Sequence, residues 1–180
     1  MARQPPEWFV SHWWGEPILD FVRCVQNHLF LRHLGKKSPY WVCAYANRQH
    51  DLDKDVFALN PKDSSFHKAM VKTSGVLLVL DARATPFDRV WCAFEQYSAL
   101  ELQEFCYNDK LQKLKLDVSA CMDNRPCLLS DGKTDRDNRD ALSALCKAER
   151  EKIFDLNIVH HGLKVCVQTA KASQENDVSG

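Results

Sequence analysis

The stretch Gly75-Val76-Leu77-Leu78-Val79-Leu80-Asp81 constrains the fold more than any other. Five consecutive apolar residues leave no polar face. The segment therefore reads as a strand covered on both sides, the pattern of a parallel sheet between two helix layers. Ligand sites in such sheets lie outside the carboxyl ends of the strands. Asp81, and the segment that runs from it to Glu95, thus take the functional position.

The remaining elements arrange themselves around that strand. Trp8–His12 reads as a first strand, followed by a Gly-Glu-Pro turn in which Pro17 suits a first helical position. Ile18, Val22, Val25 and Leu29 recur at helical spacing, and Gly35 marks the expected helix end. Tyr40–Ala46 is nearly all apolar and reads as a second strand, with the polar loop Asn47–Asp53 at its carboxyl end and a short helix over Asp55–Leu59. Asp63 or Ser64 can cap a helix over Ser65–Lys72, whose core face is Phe66, Ala69 and Met70. Thr85-Pro86-Phe87-Asp88 has the form of a capping box with proline at the first helical position; alternatively Asp88 is itself the cap. Either way Trp91 and Glu95 share one face of a helix that runs to about Phe105 or Tyr107. Leu114–Val118 alternates as a further strand. Ala120–Asp140 reads mostly as loop, and a helix follows through Leu142, Leu145, Cys146 and Ile153, with Gly162 breaking the chain and Leu163–Val167 a short strand or helix turn. Alternating strands and helices imply an α/β fold: a flavodoxin-like doubly wound parallel sheet of four to five strands. One domain over residues 8–168 is expected, with flexible termini at 1–7 and 171–180.

Charge and cysteine usage narrow the function classes. There are 24 basic and 24 acidic residues, a balance that argues against a nucleic-acid binder working by bulk charge. No run of 18 apolar residues and no leader-like segment is present, so neither membrane insertion nor secretion is expected. The eight cysteines form no Cys-x-x-Cys pair and several fall in apolar patterns; they read as reduced core thiols of a cytoplasmic protein. Metal sites are weakly supported. His160-His161 with Cys166, and Cys121 with Cys127, lack paired zinc spacing, and the acidic run Asp131–Asp140 departs from the calcium-loop form. No dinucleotide-binding or triphosphate-binding glycine loop occurs, and no nucleophile elbow.

Several side chains can carry chemistry. Glu95 beside Trp91 is either a surface carboxylate or one shielded by the indole, fit to hold a diol or to offset developing positive charge. His12, Trp13 and Trp14 follow the first strand; adjacent tryptophans either plug the sheet edge or wall a site for a flat ring. Arg48 follows the second strand, as a solvated loop residue or a phosphate contact. Asp81 closes the central strand, as a turn carboxylate or a ligand-binding one.

Three stretches resemble TIR (Toll/interleukin-1 receptor-type) domains. Phe9-Val10-Ser11 with Gly15-Glu16 is similar to the family's first-strand box, although His12-Trp13-Trp14 stands where an arginine is common. Ser65–Asp81 resembles its helix and following strand, with Asp81 where a serine is common. Trp91-Cys92-Ala93-Phe94-Glu95 matches its Trp-Cys-x-x-Glu motif. The resemblance implies a five-stranded parallel sheet and, in the enzymatic members, cleavage of the nicotinamide–ribose bond of NAD with Glu95 as the catalytic carboxylate. NAD is then the substrate, with no further cofactor and no metal. His12, Trp13, Trp14, Arg48, Asp81 and Trp91 would surround it, and the loop Asn47–Asp53 would complete a neighbouring copy's site through self-association. The same family includes adaptors that act by homotypic interaction alone, and that is the main alternative. An unrelated α/β domain, such as a nucleoside-modifying enzyme or a response-regulator-like fold, is the third.

Overall fold

A computed structural model describes residues 4–46, 61–102, 106–107, 110–111, 114–130 and 141–163. Strand β1 (Trp8–Ser11) leads into helix α1 (Ile18–Leu31), then β2 (Tyr40–Val42) and a single helical turn, α2 (Cys43–Ala46). Helix α3 (Ser65–Met70) precedes the central strand β3 (Gly75–Leu80), and α4 (Val90–Glu101) follows it. A two-stranded ribbon, β4 (Cys106–Tyr107) and β5 (Lys110–Leu111), leads to β6 (Lys115–Met122) and β7 (Arg125–Ser130). Helices α5 (Ala141–Ile153) and α6 (Leu156–Leu163) complete the described chain.

The main sheet has the order β2-β1-β3-β6-β7. Strands β2, β1, β3 and β6 are parallel, and β7 is antiparallel to β6. This is a flavodoxin-like doubly wound α/β fold, as the alternation of strands and helices implied. All six residues of β3 are buried, as expected for a strand with neighbours on both edges and helices on both faces. Gly75 has a steric role here: a Cβ at this position would run into the Trp8 ring on the adjoining strand.

Alternation along the strands sorts the core into two layers. Trp8, Val10, Leu77, Val79 and Cys121 pack with Phe21 and Cys24 of α1. On the opposite face Phe9 and Val76 pack with Phe66, Ala69 and Met70 of α3 and Ala99 of α4. Leu78, Leu80 and Ala120 extend that face toward Phe154 and Ile158.

Five local expectations are revised. The second strand stops at Val42, because Cys43–Ala46 turn into helix α2. Neither proposed cap starts α4: Thr85–Asp88 forms a separate 3-10 turn, and Arg89, with no side-chain cap, precedes the helix. Ala120–Asp140 is not mostly loop as far as Ser130, because β6 continues to Met122 and pairs with β7 through a tight turn at Asp123 and Asn124. Both turn residues have positive φ (49° and 64°), which short polar side chains tolerate and two-residue hairpins require. Pro126 masked this strand in the sequence; it is tolerated because β7 is an edge. Finally, Gly162 lies inside α6 rather than breaking the chain, and helix α4 ends at Glu101 rather than near Phe105.

Candidate functional site

The order of the sheet places β1 beside β3 while the connections leave them in opposite directions. The crevice beyond their carboxyl ends is the switch point of the fold. Two distinct environments lie there, one on each face.

On the face carrying α4, Glu95 is buried to 3% exposure. Helix α4 brings it beneath the end of β1, beside Ser11, which is fully buried. Burial pushes the Glu95 carboxyl up to about 8, and the neighbouring Ser11 hydroxyl opposes that rise. Ser11 Oγ itself is buried and makes no hydrogen bond of ordinary geometry. The thiols of Cys43 and Cys92 feel the same carboxylate: burial first, then the Glu95 charge, raises both. Trp14 donates its indole N–H to Cys43 Sγ at 2.8 Å while half its surface stays exposed. Trp91 stacks on Phe66 (5.6 Å between centroids, 15° between planes), and so joins the wall of this niche. Cys92 Sγ donates to the His12 carbonyl at 3.6 Å.

On the face carrying α1 a cleft of about 560 Å³ opens between the first turns of that helix and the ends of β3 and β6. Trp13, Glu16, Asp20, Asp81, Arg83 and Thr85 form its polar and aromatic wall, and Cys24, Val79 and Cys121 its apolar floor. The sequence builds this wall locally. Asp81 accepts the Thr85 backbone N–H (2.6 Å) and hydroxyl (2.7 Å), which folds the chain back after β3. Gly15 leaves room for the Trp13 ring, which a Cβ there would strike. His12 Nδ1 and Glu16 Oε1 are 2.8 Å apart, with side chains only 8% and 4% exposed. Burial raises the Glu16 pKa; the hydrogen bond and charge of His12 oppose it, and Asp81 and Asp20 add to it.

The residues expected to converge on one pocket are therefore divided. Trp13 and Asp81 border the cleft, while Trp14, Trp91 and Glu95 belong to the opposite face. His12 links the two, with its ring toward Glu16 and its carbonyl toward Cys92. Arg48 and the rest of the loop Asn47–Asp53 lie outside the described residues. Glu95 is not among the residues lining the cleft. Asp20, Arg83, Ser11 and Cys43 were not anticipated. Among the described residues no group of three or more His, Cys, Asp or Glu side chains is placed to hold a metal ion. No helix among them is long and apolar enough to cross a membrane. Of the six cysteines whose state is described, all are free thiols, four of them buried. No protein-family model and no curated protein matches the chain.

Proposed function

We propose that this chain is a TIR-type domain whose Glu95 serves in cleaving the nicotinamide–ribose bond of NAD. The observation that carries this reading is the state of Glu95, a carboxyl at 3% exposure with its pKa raised to about 8 by burial. Among the described residues it has no cationic partner. A carboxyl buried in this way costs stability, and such perturbed groups are concentrated at functional sites. The Trp-Cys-x-x-Glu spacing and the flavodoxin-like sheet order add support.

Nicotinamide is a good leaving group, and its departure leaves oxocarbenium character on the ribose. An ionised Glu95 would hold the ribose hydroxyls and offset that charge. The cationic ring of NAD favours the ionised form of a carboxyl held near neutrality. Hydrolysis follows from attack by water, and cyclisation from attack by an adenine nitrogen. Activity that needs the carboxylate rises with pH through about 8 and then levels, because ionisation is complete above that value.

A second reading, a TIR-type adaptor acting by homotypic contact, is favoured by two observations. Glu95 does not border the described cleft. The outer side of α1 also exposes Ile18 (58%), Leu19 (64%) and Phe30 (71%), an apolar surface suited to a protein partner. The two readings separate when concentrated protein is incubated with NAD and the products are resolved by chromatography and mass spectrometry, beside Glu95→Ala. Nicotinamide release that disappears in the variant supports the enzyme, and the second product distinguishes hydrolysis from cyclisation. Absence of release at high protein concentration transfers the assignment to the adaptor.

A further inference from the structure

The niche around Glu95 is shut off from solvent. It gathers the Ser11 hydroxyl, the Glu95 carboxyl and the thiols of Cys43 and Cys92, and none of the four residues is more than 6% exposed. Both thiols lie close enough to feel the Glu95 charge. Among the described residues, the side chain that reaches from this niche into solvent is Trp14. Its indole N–H, the one polar group it has, meets Cys43 Sγ at 2.8 Å, while half of the residue stays exposed.

Two features make this cover a light one. The closed niche leaves polar groups unmet: Ser11 Oγ is buried without a hydrogen bond of ordinary geometry, and burial holds Glu95 toward its neutral form. Water reaching such groups would relieve their desolvation. The turn that carries Trp14 is also anchored elsewhere. The Glu16 N–H donates to the Trp13 carbonyl at 3.1 Å, Glu16 Oε1 lies 2.8 Å from His12 Nδ1, and the Trp13 ring packs over Gly15. Trp14 can therefore leave Cys43 by rotating its own side chain, with the turn and the sheet in place. We propose that Trp14 is a lid on the Glu95 niche, opening when its indole leaves Cys43 Sγ and closing when that bond forms again. Closed, it shields the carboxyl, which accounts for a Glu95 that borders no open cleft. Open, it admits water and substrate; the substrate step rests on the reading of Glu95 as the carboxyl that serves NAD cleavage, and the lid itself does not.

The test labels the full chain with iodoacetamide under native conditions and follows each cysteine by peptide mass spectrometry. Exposed Cys146 gives the rate of the reagent, and Cys24, fully buried on the α1 face, reports general loosening. Buried groups react through their open fraction. Trp14→Phe keeps a ring but has no N–H, and should speed labelling of Cys43 about fivefold relative to Cys146, the change in population that one neutral hydrogen bond is worth. Trp14→Ala should speed it further, with Cys24 unchanged in both. In Trp14→Ala, carbon-13 NMR of the Glu95 carboxyl should show a pKa moved from about 8 toward the ordinary carboxylate range, because water now reaches it. An unchanged Cys43 rate in both variants, an equal rise at Cys24, or a Glu95 titration in Trp14→Ala that matches the parent would overturn the lid. None of these measurements uses NAD, so absence of nicotinamide release counts against the NAD reading alone, and failure here counts against the lid alone.

Discussion

Asp117 and Glu95 are both buried carboxyls, one on each face of the sheet, and they have opposite surroundings. Asp117 accepts Arg32 Nη2 on Oδ1 (2.6 Å) and both Arg32 Nε (2.7 Å) and His28 Nε2 (2.9 Å) on Oδ2. Tyr40 Oη lies 2.8 Å from His28 Nδ1, so both ring nitrogens of His28 have a partner. The Arg32 guanidinium sits 5.2 Å from the Trp8 ring centroid, so the cation also has an aromatic cover. Glu95 has only the hydroxyl of Ser11 to favour its charge. The contrast teaches that burial alone does not assign a role. A buried carboxylate whose lone pairs are met by a cation ties elements together, here α1 to β6. One without such a partner is held toward its neutral form.

The largest effect should come from breaking the paired acid. Asp117→Ala leaves Arg32 buried without a counter-charge and His28 Nε2 without its partner, and a denaturant titration should show a loss of about 3–5 kcal/mol. A loss below about 1 kcal/mol would place Asp117 with ordinary surface ion pairs and end the contrast.

The unpaired acid should respond with the opposite sign. The folded pKa of Glu95 is raised, so the folded chain holds a proton that the unfolded chain releases between about pH 4.5 and 8. Its contribution to stability is therefore present at low pH and lost as pH rises through that window. Glu95→Gln removes this penalty. The variant should match the parent near pH 4.5 and exceed it near pH 8 by an amount on the order of 1–3 kcal/mol, read from urea midpoints at the two pH values. Equal midpoints at both would mean that Glu95 ionises freely in the folded protein.

A third carboxylate supplies the baseline. Glu101, at the end of α4, meets Lys62 at 3.3 Å, with side chains 40% and 56% exposed. Glu101→Ala should change stability by less than about 0.5 kcal/mol in the same titration, because solvent screens the pair. A larger loss would show that location on α4, rather than burial, sets the energetics of that helix.

How much of this was legible in the sequence depends on distance along the chain. The central strand was readable because six buried residues in a row have one explanation, and Ser64 because its oxygen accepts from His67, three residues on. The hairpin of β6 and β7 was hidden by Pro126 and by a turn whose Asp-Asn pair adopts positive φ without glycine. The Asp117 cluster left no local trace, since its partners are 85 and 89 residues away in sequence. The candidate site was partly legible. Glu95 could be singled out by its neighbours Trp91 and Cys92, but its separation from Trp13 and Asp81 could not.

The amino-acid sequence by itself determined the layers of this protein: the strands at Trp8–Ser11 and Gly75–Leu80, the helices that flank them, and that the sheet is covered on both sides. Those follow from apolar periodicity and turn chemistry, which act over a few residues. Only the tertiary structure decided which face each candidate side chain occupies. Strand residues alternate between faces, so Ser11 joins Glu95 on the α4 side, while the turn that follows sends Trp13 and Glu16 to the α1 side. The end of β1 thus separates a buried carboxyl from an acid-walled cleft: strand pairing fixes Ser11 on one face, and the chain leaves the sheet directly after it.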